Sequence, residues 1–381
     1  MLLKFTVQNY KNFQNPLTID FSEVGGYQFS SDCLNENTIS KKLIYGKNAT
    51  GKTNLGMAII DIAISPFFSS RNIAENFINV DSELDSAYFS YIFKFGKDIV
   101  EYSYEKYSSA KYKTEKFLIN NLEIFNFDYI NNIFTYKNLN EIAAETILVE
   151  RFLQSKTEED LSNEEIEPAL SFLRWLFANA AFSSESPMNE LRNFINKMRA
   201  LSISGAQRNP IRRADPFFET LEGENLKKLE TFLNDMGVEC QLVTKKLPDG
   251  KRELYFKRKK LLPFFENASS GTLILFNIYR RILTTLQNMS FCYFDEFDAF
   301  FHYEMSEKFL KYFKENYPKC QIIFTTHNTN LMSNQLMRPD CLFILSSQGT
   351  LTPLNKATLR ELREGHNLEK MYISGEFKDY E

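Results

Sequence analysis

Gly46-Lys47-Asn48-Ala49-Thr50-Gly51-Lys52-Thr53 places a glycine, four residues and then Gly-Lys-Thr in a row, the spacing of a loop that cradles phosphates in its backbone. Leu43-Ile44-Tyr45 before it reads as a short buried strand, and Asn54 to Ile64 after it as a helix with Leu55, Ile59 and Ile62 on one apolar face and Pro66 beyond. Strand, loop and helix are the context the motif needs. The glycines let successive N–H groups turn toward one anion, and the helix N-terminus adds partial positive charge. Lys52 then reaches the β- and γ-phosphates, and the Thr53 hydroxyl suits Mg²⁺. The candidate nucleotide contacts are therefore Gly46, Lys47, Asn48, Ala49, Thr50, Gly51, Lys52, Thr53 and Asn54. A chance glycine loop is the bland alternative, and the flanking strand and helix tell against it.

The chain has 381 residues, enough for one large domain or two, and its 43% apolar and 25% charged content is that of a globular protein. A net charge of −4 excludes a chain that binds polyanions over its whole surface, so any nucleic-acid contact has to be local. Cys33, Cys240, Cys292, Cys320 and Cys341 contain no Cys-x-x-Cys pair, which suits buried thiols in a reducing compartment. No stretch reads as a leader or a membrane span, so a cytoplasmic protein with no membrane contact is expected.

Along the chain, Met1 to Tyr10 alternates as a strand and Leu17 to Phe21 as its return. Ala87 to Phe125 alternates aromatic and polar residues, with a turn at Gly96-Lys97-Asp98, and predicts an antiparallel sheet. The character changes near Asn138. Glu141 to Gln154, Ala169 to Phe182 and Ser186 to about Leu201 read as helices, and Ser162 with Glu165 as a capping box. Arg208, Arg212 and Arg213 fall in a loop. The expected division is a first half over 1–137, a helical insertion over 138–204 and a second half over 205–381. In that second half, Glu239 to Lys246 and Arg252 to Lys260 predict a hairpin around Pro248-Asp249-Gly250. Lys245, Lys246, Lys251, Arg252, Lys257, Arg258, Lys259 and Lys260 stand there against only Asp249 and Glu253. Such a run is either a solvated face or a contact for DNA phosphates.

Phe291-Cys292-Tyr293-Phe294-Asp295-Glu296 is an apolar strand ending in two acids, and acids at strand carboxyl ends sit where α/β sheets bind ligands. Asp295 is the candidate Mg²⁺ ligand with Thr53, and Glu296 the candidate for orienting or deprotonating water. Gln321 to Thr326 is a second buried strand with His327 at its end, within reach of a γ-phosphate if the strands are neighbours. Ala268-Ser269-Ser270-Gly271-Thr272 is a small-residue loop opening the apolar helix Leu273 to Leu283, and Ser269 and Gly271 are its candidate anion contacts.

In this order the motifs resemble the ATP-binding-cassette ATPases of the SMC and RecF type. Asn9-Tyr10-Lys11-Asn12-Phe13 is similar to their N-terminal nucleotide-edge motif. Ala268 to Thr272 is similar to their signature loop, with Ser270 in place of a usual glycine and Ala268 in place of leucine. Asp298-Ala299-Phe300-Phe301-His302 holds the D-loop position, with His302 replacing the common aspartate. Asp295 to His302, Thr325 to Leu331 and the tail Tyr372 to Phe377 most resemble AAA-type ATP-binding proteins grouped with OLD-family and abortive-infection proteins. The resemblance covers roughly 1–135 and 205–377; no Q-loop residue stands out. OLD nucleases carry a nuclease domain after the ATPase, and the end at Glu381 leads us to expect none. It implies an α/β P-loop NTPase head with an antiparallel edge sheet and an inserted helical subdomain. It also implies a homodimer sandwiching two ATPs, with Lys52, Thr53, Asp295, Glu296 and His327 of one chain facing Ser269 and Gly271 of the other. ATP hydrolysis, an effector-protein partner and phage defence follow from the same resemblance, with a DNA-repair role as the rival.

Overall fold

The computed structural model describes residues 1–63, 76–109, 111–142, 144, 147–154, 170–202, 217–248, 250–284 and 286–381. Its middle layer is a sheet ordered Met198–Ser202, Phe291–Asp295, Gln321–Thr326, Lys41–Tyr45, Leu342–Leu345 and Leu351–Pro353. All neighbours are parallel except the last pair. These strands are apolar along their length because both faces are covered. Leu43, Phe294 and Phe324 point into one core with the C-terminal helices. Ile44, Tyr293 and Ile323, one residue out of step, point into a second core.

That second core is shared with a seven-stranded antiparallel sheet running from Ile133–Tyr136 through Leu122–Asp128, Tyr112–Ile119, Asp98–Lys106, Ala87–Phe95 and Leu2–Gln8 to Leu17–Asp20. The strict alternation along Ala87–Phe95 and Asp98–Lys106 buries Phe89, Tyr91, Phe93, Val100, Tyr102 and Tyr104 on one face. The helices Phe172–Asn179 and Pro187–Asn196 pack on that face. The two sheets are stitched by Gln321, whose buried amide accepts from Leu2 N at 2.7 Å and donates to Leu2 O at 2.7 Å.

The α/β fold with an antiparallel edge sheet is as expected, and so is the basic hairpin, with Leu261–Pro263 as a third strand. Two helix expectations are corrected. The helix starting at Pro187 stops at Asn196 rather than near Leu201, and Met198–Ser202 is a strand pairing with Phe291–Asp295. Residues 138–204 are therefore not all helical. Glu141 to Gln154 is not one helix either: Leu139–Ile142 is a 3₁₀ turn, and helix resumes at 149–154. Pro66, Ser162, Glu165, Arg208, Arg212, Arg213 and Asp249 lie outside the described residues. The five cysteines are free and buried.

The helix Lys52–Ile60 lies tight on the central sheet. A Cβ on Gly56 would stand 2.5 Å from the Tyr293 ring, and Tyr293 donates its hydroxyl proton to Lys52 O at 2.5 Å. The bare Gly56 backbone thus lets the Asp295 strand pass directly beneath the phosphate loop.

Candidate nucleotide-binding site

Lys41–Tyr45, Phe291–Asp295 and Gln321–Thr326 end at the same edge of the sheet because they run parallel and in register. The loop Gly46 to Gly51 leaves the first, Glu296 the second and His327 the third. Gly51 caps the helix Lys52–Ile60 at φ 99° and Ala49 is also left-handed at φ 66°, conformations that wrap the backbone tightly around a small volume. The loop is braced from outside by Asn12. Its amide donates to Thr50 O at 3.1 Å and its oxygen accepts from Asn54 at 2.7 Å. A Cβ on Gly51 would fall 2.2 Å from that amide, so only glycine leaves room for the brace.

Lys52 is buried, and its ammonium donates to Gly46 O at 2.7 Å and Lys47 O at 3.0 Å. Neutral carbonyls alone hold it, and burial draws its pKa below the ordinary lysine range against the pull of Glu296, Asp295 and Asp298. A buried cation held only by carbonyls, in a glycine-bearing loop at a helix N-terminus, is a site for a polyanion. Thr53 donates to Asp295 Oδ2 at 2.7 Å. Thr325 donates to Asp295 Oδ1 at 3.1 Å and accepts from the Glu296 N–H at 2.9 Å. The same Thr325 hydroxyl thus fixes both acids. A hydroxyl touching a carboxylate at the loop mouth is a hard-oxygen donor pair fitted to Mg²⁺.

Glu296 is half-buried and sits at φ 49°, a strained conformation for a side-chain-bearing residue. It turns the chain sharply, so its carboxylate leaves the strand line while Asp295 stays buried. His327 is exposed at the end of its strand. The structure therefore brings Gly46 to Asn54, Asp295, Glu296 and His327 to one edge. Ser269 is not joined to them: it caps its own helix, accepting from Thr272 N at 3.1 Å. That helix begins at Ser270, earlier than Leu273, and Gly271 faces the turn after Glu296, where a Cβ would lie 3.0 Å from Phe300 O.

Sequence reasoning missed Asn12 as the brace of the loop, and Thr325, whose role depends on two chain-distant acids. It also missed Glu381, which pairs with Lys47 at 2.5 Å, while Tyr372 packs edge-on against Tyr45 with ring centroids 4.8 Å apart. The C-terminal segment thus borders the loop. Among the described residues no cluster of three metal-ligating side chains exists, and no helix is long and apolar enough to cross a membrane.

A family model described as "AAA domain, putative AbiEii toxin, Type IV TA system" matches residues 43–333, from the strand before the phosphate loop to beyond His327. The chain belongs to this family. It is an AAA-type ATPase domain of P-loop fold, related to abortive-infection proteins. No curated protein matches the sequence. Among solved structures, the SMC head domain from Thermotoga maritima is similar at TM-score 0.43 and 15% identity over 92% of this chain and 98% of that one. An Smc head with an extended coiled coil bound to the C-terminal domain of ScpA, from Pyrococcus furiosus, is similar at TM-score 0.45 and 13% identity over 92% of this chain and 95% of that one.

Burial is the leading influence on Asp295 and lifts its pKa above the usual carboxylate range, although Thr53, Thr325 and Lys52 pull it down. A carboxyl whose pKa is raised in the fold binds its proton more tightly folded than unfolded. Stability is then lost as pH climbs from the ordinary aspartate value through the raised one. Asp295→Asn is expected to melt above the wild-type nucleotide-free protein at pH 7, with the gap closing toward pH 3.5. Calorimetric scans across pH check this; a wild type that melts above the variant at pH 7 contradicts it.

Proposed function

We propose that this chain binds ATP with Mg²⁺ in the loop Gly46–Thr53, hydrolyses it, and dimerises head to tail on binding it. The Thr53–Asp295 hydrogen bond carries the reading: it joins the phosphate loop to the acid strand, so phosphates, cation and water have one meeting place. In this reading Lys52 meets the β- and γ-phosphates and Thr53 and Asp295 hold Mg²⁺, whose charge offsets that building on the phosphate oxygens. Glu296 orients and deprotonates the attacking water. His327 donates to the γ-phosphate. The head divides into two halves, 1–137 and 205–381, around an inserted segment at 138–204 whose last strand, Met198–Ser202, joins the central sheet of the head.

Ser269 has no bond to its own chain's loop and is exposed at the start of a long helix, which supports a role, with Gly271, in completing the site of a second copy. The composite site makes assembly depend on ATP and disassembly on hydrolysis, which suits a switch acting on a partner effector protein. The family description names a toxin of a toxin–antitoxin system, and this supports a cytoplasmic role in anti-phage defence. The second reading is a nucleotide-gated DNA binder. It is favoured by Lys257, Arg258, Lys259 and Lys260, which are exposed and form no ion pair among the described residues, whereas Arg252 is taken by Glu219 and Glu222. Reversing these four residues to glutamate is expected to abolish any salt-dependent binding to duplex DNA. Wild type with no such binding, with or without ATP, leaves the hairpin a solvated face.

Glu296→Gln is expected to bind ATP and hydrolyse it at least about a hundredfold more slowly. In that trapped form light scattering should show an ATP-dependent dimer that the added change Ser269→Arg abolishes. Equal turnover by wild type and Glu296→Gln removes Glu296 from the role, and an undiminished dimer with Ser269→Arg removes Ser269 from the interface.

A further inference from the structure

The turn after Glu296 holds a carboxylate that none of the roles above uses. Asp298 is 6% exposed. Its Oδ2 accepts from Thr326 Oγ1 at 2.8 Å, while its Oδ1 is buried with no hydrogen-bond partner. Leaving a buried carboxylate oxygen unpaired is costly, more so than for a neutral group. The same Thr326 hydroxyl accepts from the Asn328 N–H at 2.9 Å. The residues on either side of His327 are therefore both tied to the Asp298 carboxylate, one directly and one through that hydroxyl. Burial lifts the carboxyl's pKa, against the Thr326 hydrogen bond and the nearby His327 ring. The Asn328 side chain also lies on the donor side of this carboxylate, outside hydrogen-bond geometry for Oδ1, and its own oxygen accepts from Asn330 N at 3.1 Å.

We propose that Asp298 is the positioning residue for His327: when a nucleotide occupies the loop, Asp298 Oδ1 takes one ring N–H of His327 and directs the other toward the terminal phosphate. This rests on the nucleotide reading above. A histidine that donates to phosphate through one nitrogen gains a fixed ring orientation when a carboxylate holds the other. The exposed His327 alone has no such guide. Asp298 does not touch the nucleotide in this scheme; it acts through His327.

The chain has only 3 histidines, so ¹⁵N-histidine labelling resolves the ring N–H signals individually. Wild type with Mg²⁺ and a non-hydrolysable ATP analogue is expected to show a slowly exchanging, downfield ring N–H absent from His327→Gln. Asp298→Asn keeps the shape and the acceptor for Thr326 but puts an N–H₂ where Oδ1 stood. It should lose that signal and lower kcat about tenfold or more with KM changed less than about twofold, while Asn328→Ala keeps the signal. A signal that persists in Asp298→Asn, or that is missing from wild type although calorimetry shows the analogue bound, overturns the inference and leaves the nucleotide reading standing. Failure of the analogue to bind at all removes both.

Discussion

A single hydrogen bond, Thr53 to Asp295, closes the gap between residues 242 positions apart in the chain, and the rest of the site hangs on it. The bond forms only if the phosphate-loop strand and the acid strand end at the same edge, which their shared parallel sheet ensures through Gln321–Thr326 between them. It forms only if the helix behind the loop can approach that sheet, which Gly56 allows over Tyr293. Thr325, on the intervening strand, then binds Asp295 and the Glu296 backbone together. Each of these residues does a structural job that places a chemical group.

The site also concentrates costs. Glu296 and Ala49 hold left-handed backbone, each at about 1–3 kcal/mol for a residue with a side chain. Lys52 is a buried cation facing only carbonyls, and Asp295 is a buried acid. A polyphosphate with a divalent cation would relieve both charges at once. The two large aromatic cores on either side of the sheet supply the burial that offsets these local penalties.

Much of this was legible in the sequence because the decisive signals are local. The phosphate loop, the Asp295-Glu296 strand end and His327 each occupy a few consecutive residues, and the alternation of Ala87 to Lys106 needs only a period of two. What was not legible depends on distant partners. Met198 and Leu201 stand three apart, a spacing that continues the helix holding Phe194 and Ile195; only pairing with Phe291–Asp295 makes a strand of them. Thr325, Asn12 and Asp298 lie within stretches that carry the family resemblance, but their individual roles come from what the fold sets beside them.

If the loop Gly46–Thr53 is the nucleotide site, Lys52 is its charged element. Isothermal titration of Mg·ATP into wild type and Lys52→Ala, with circular dichroism showing the variant folded, tests it most directly. Measurable binding to wild type and a loss of roughly tenfold or more in the variant are expected, since a charge-assisted contact to phosphate is removed. Equal affinity in the two folded proteins would contradict it and place the nucleotide elsewhere.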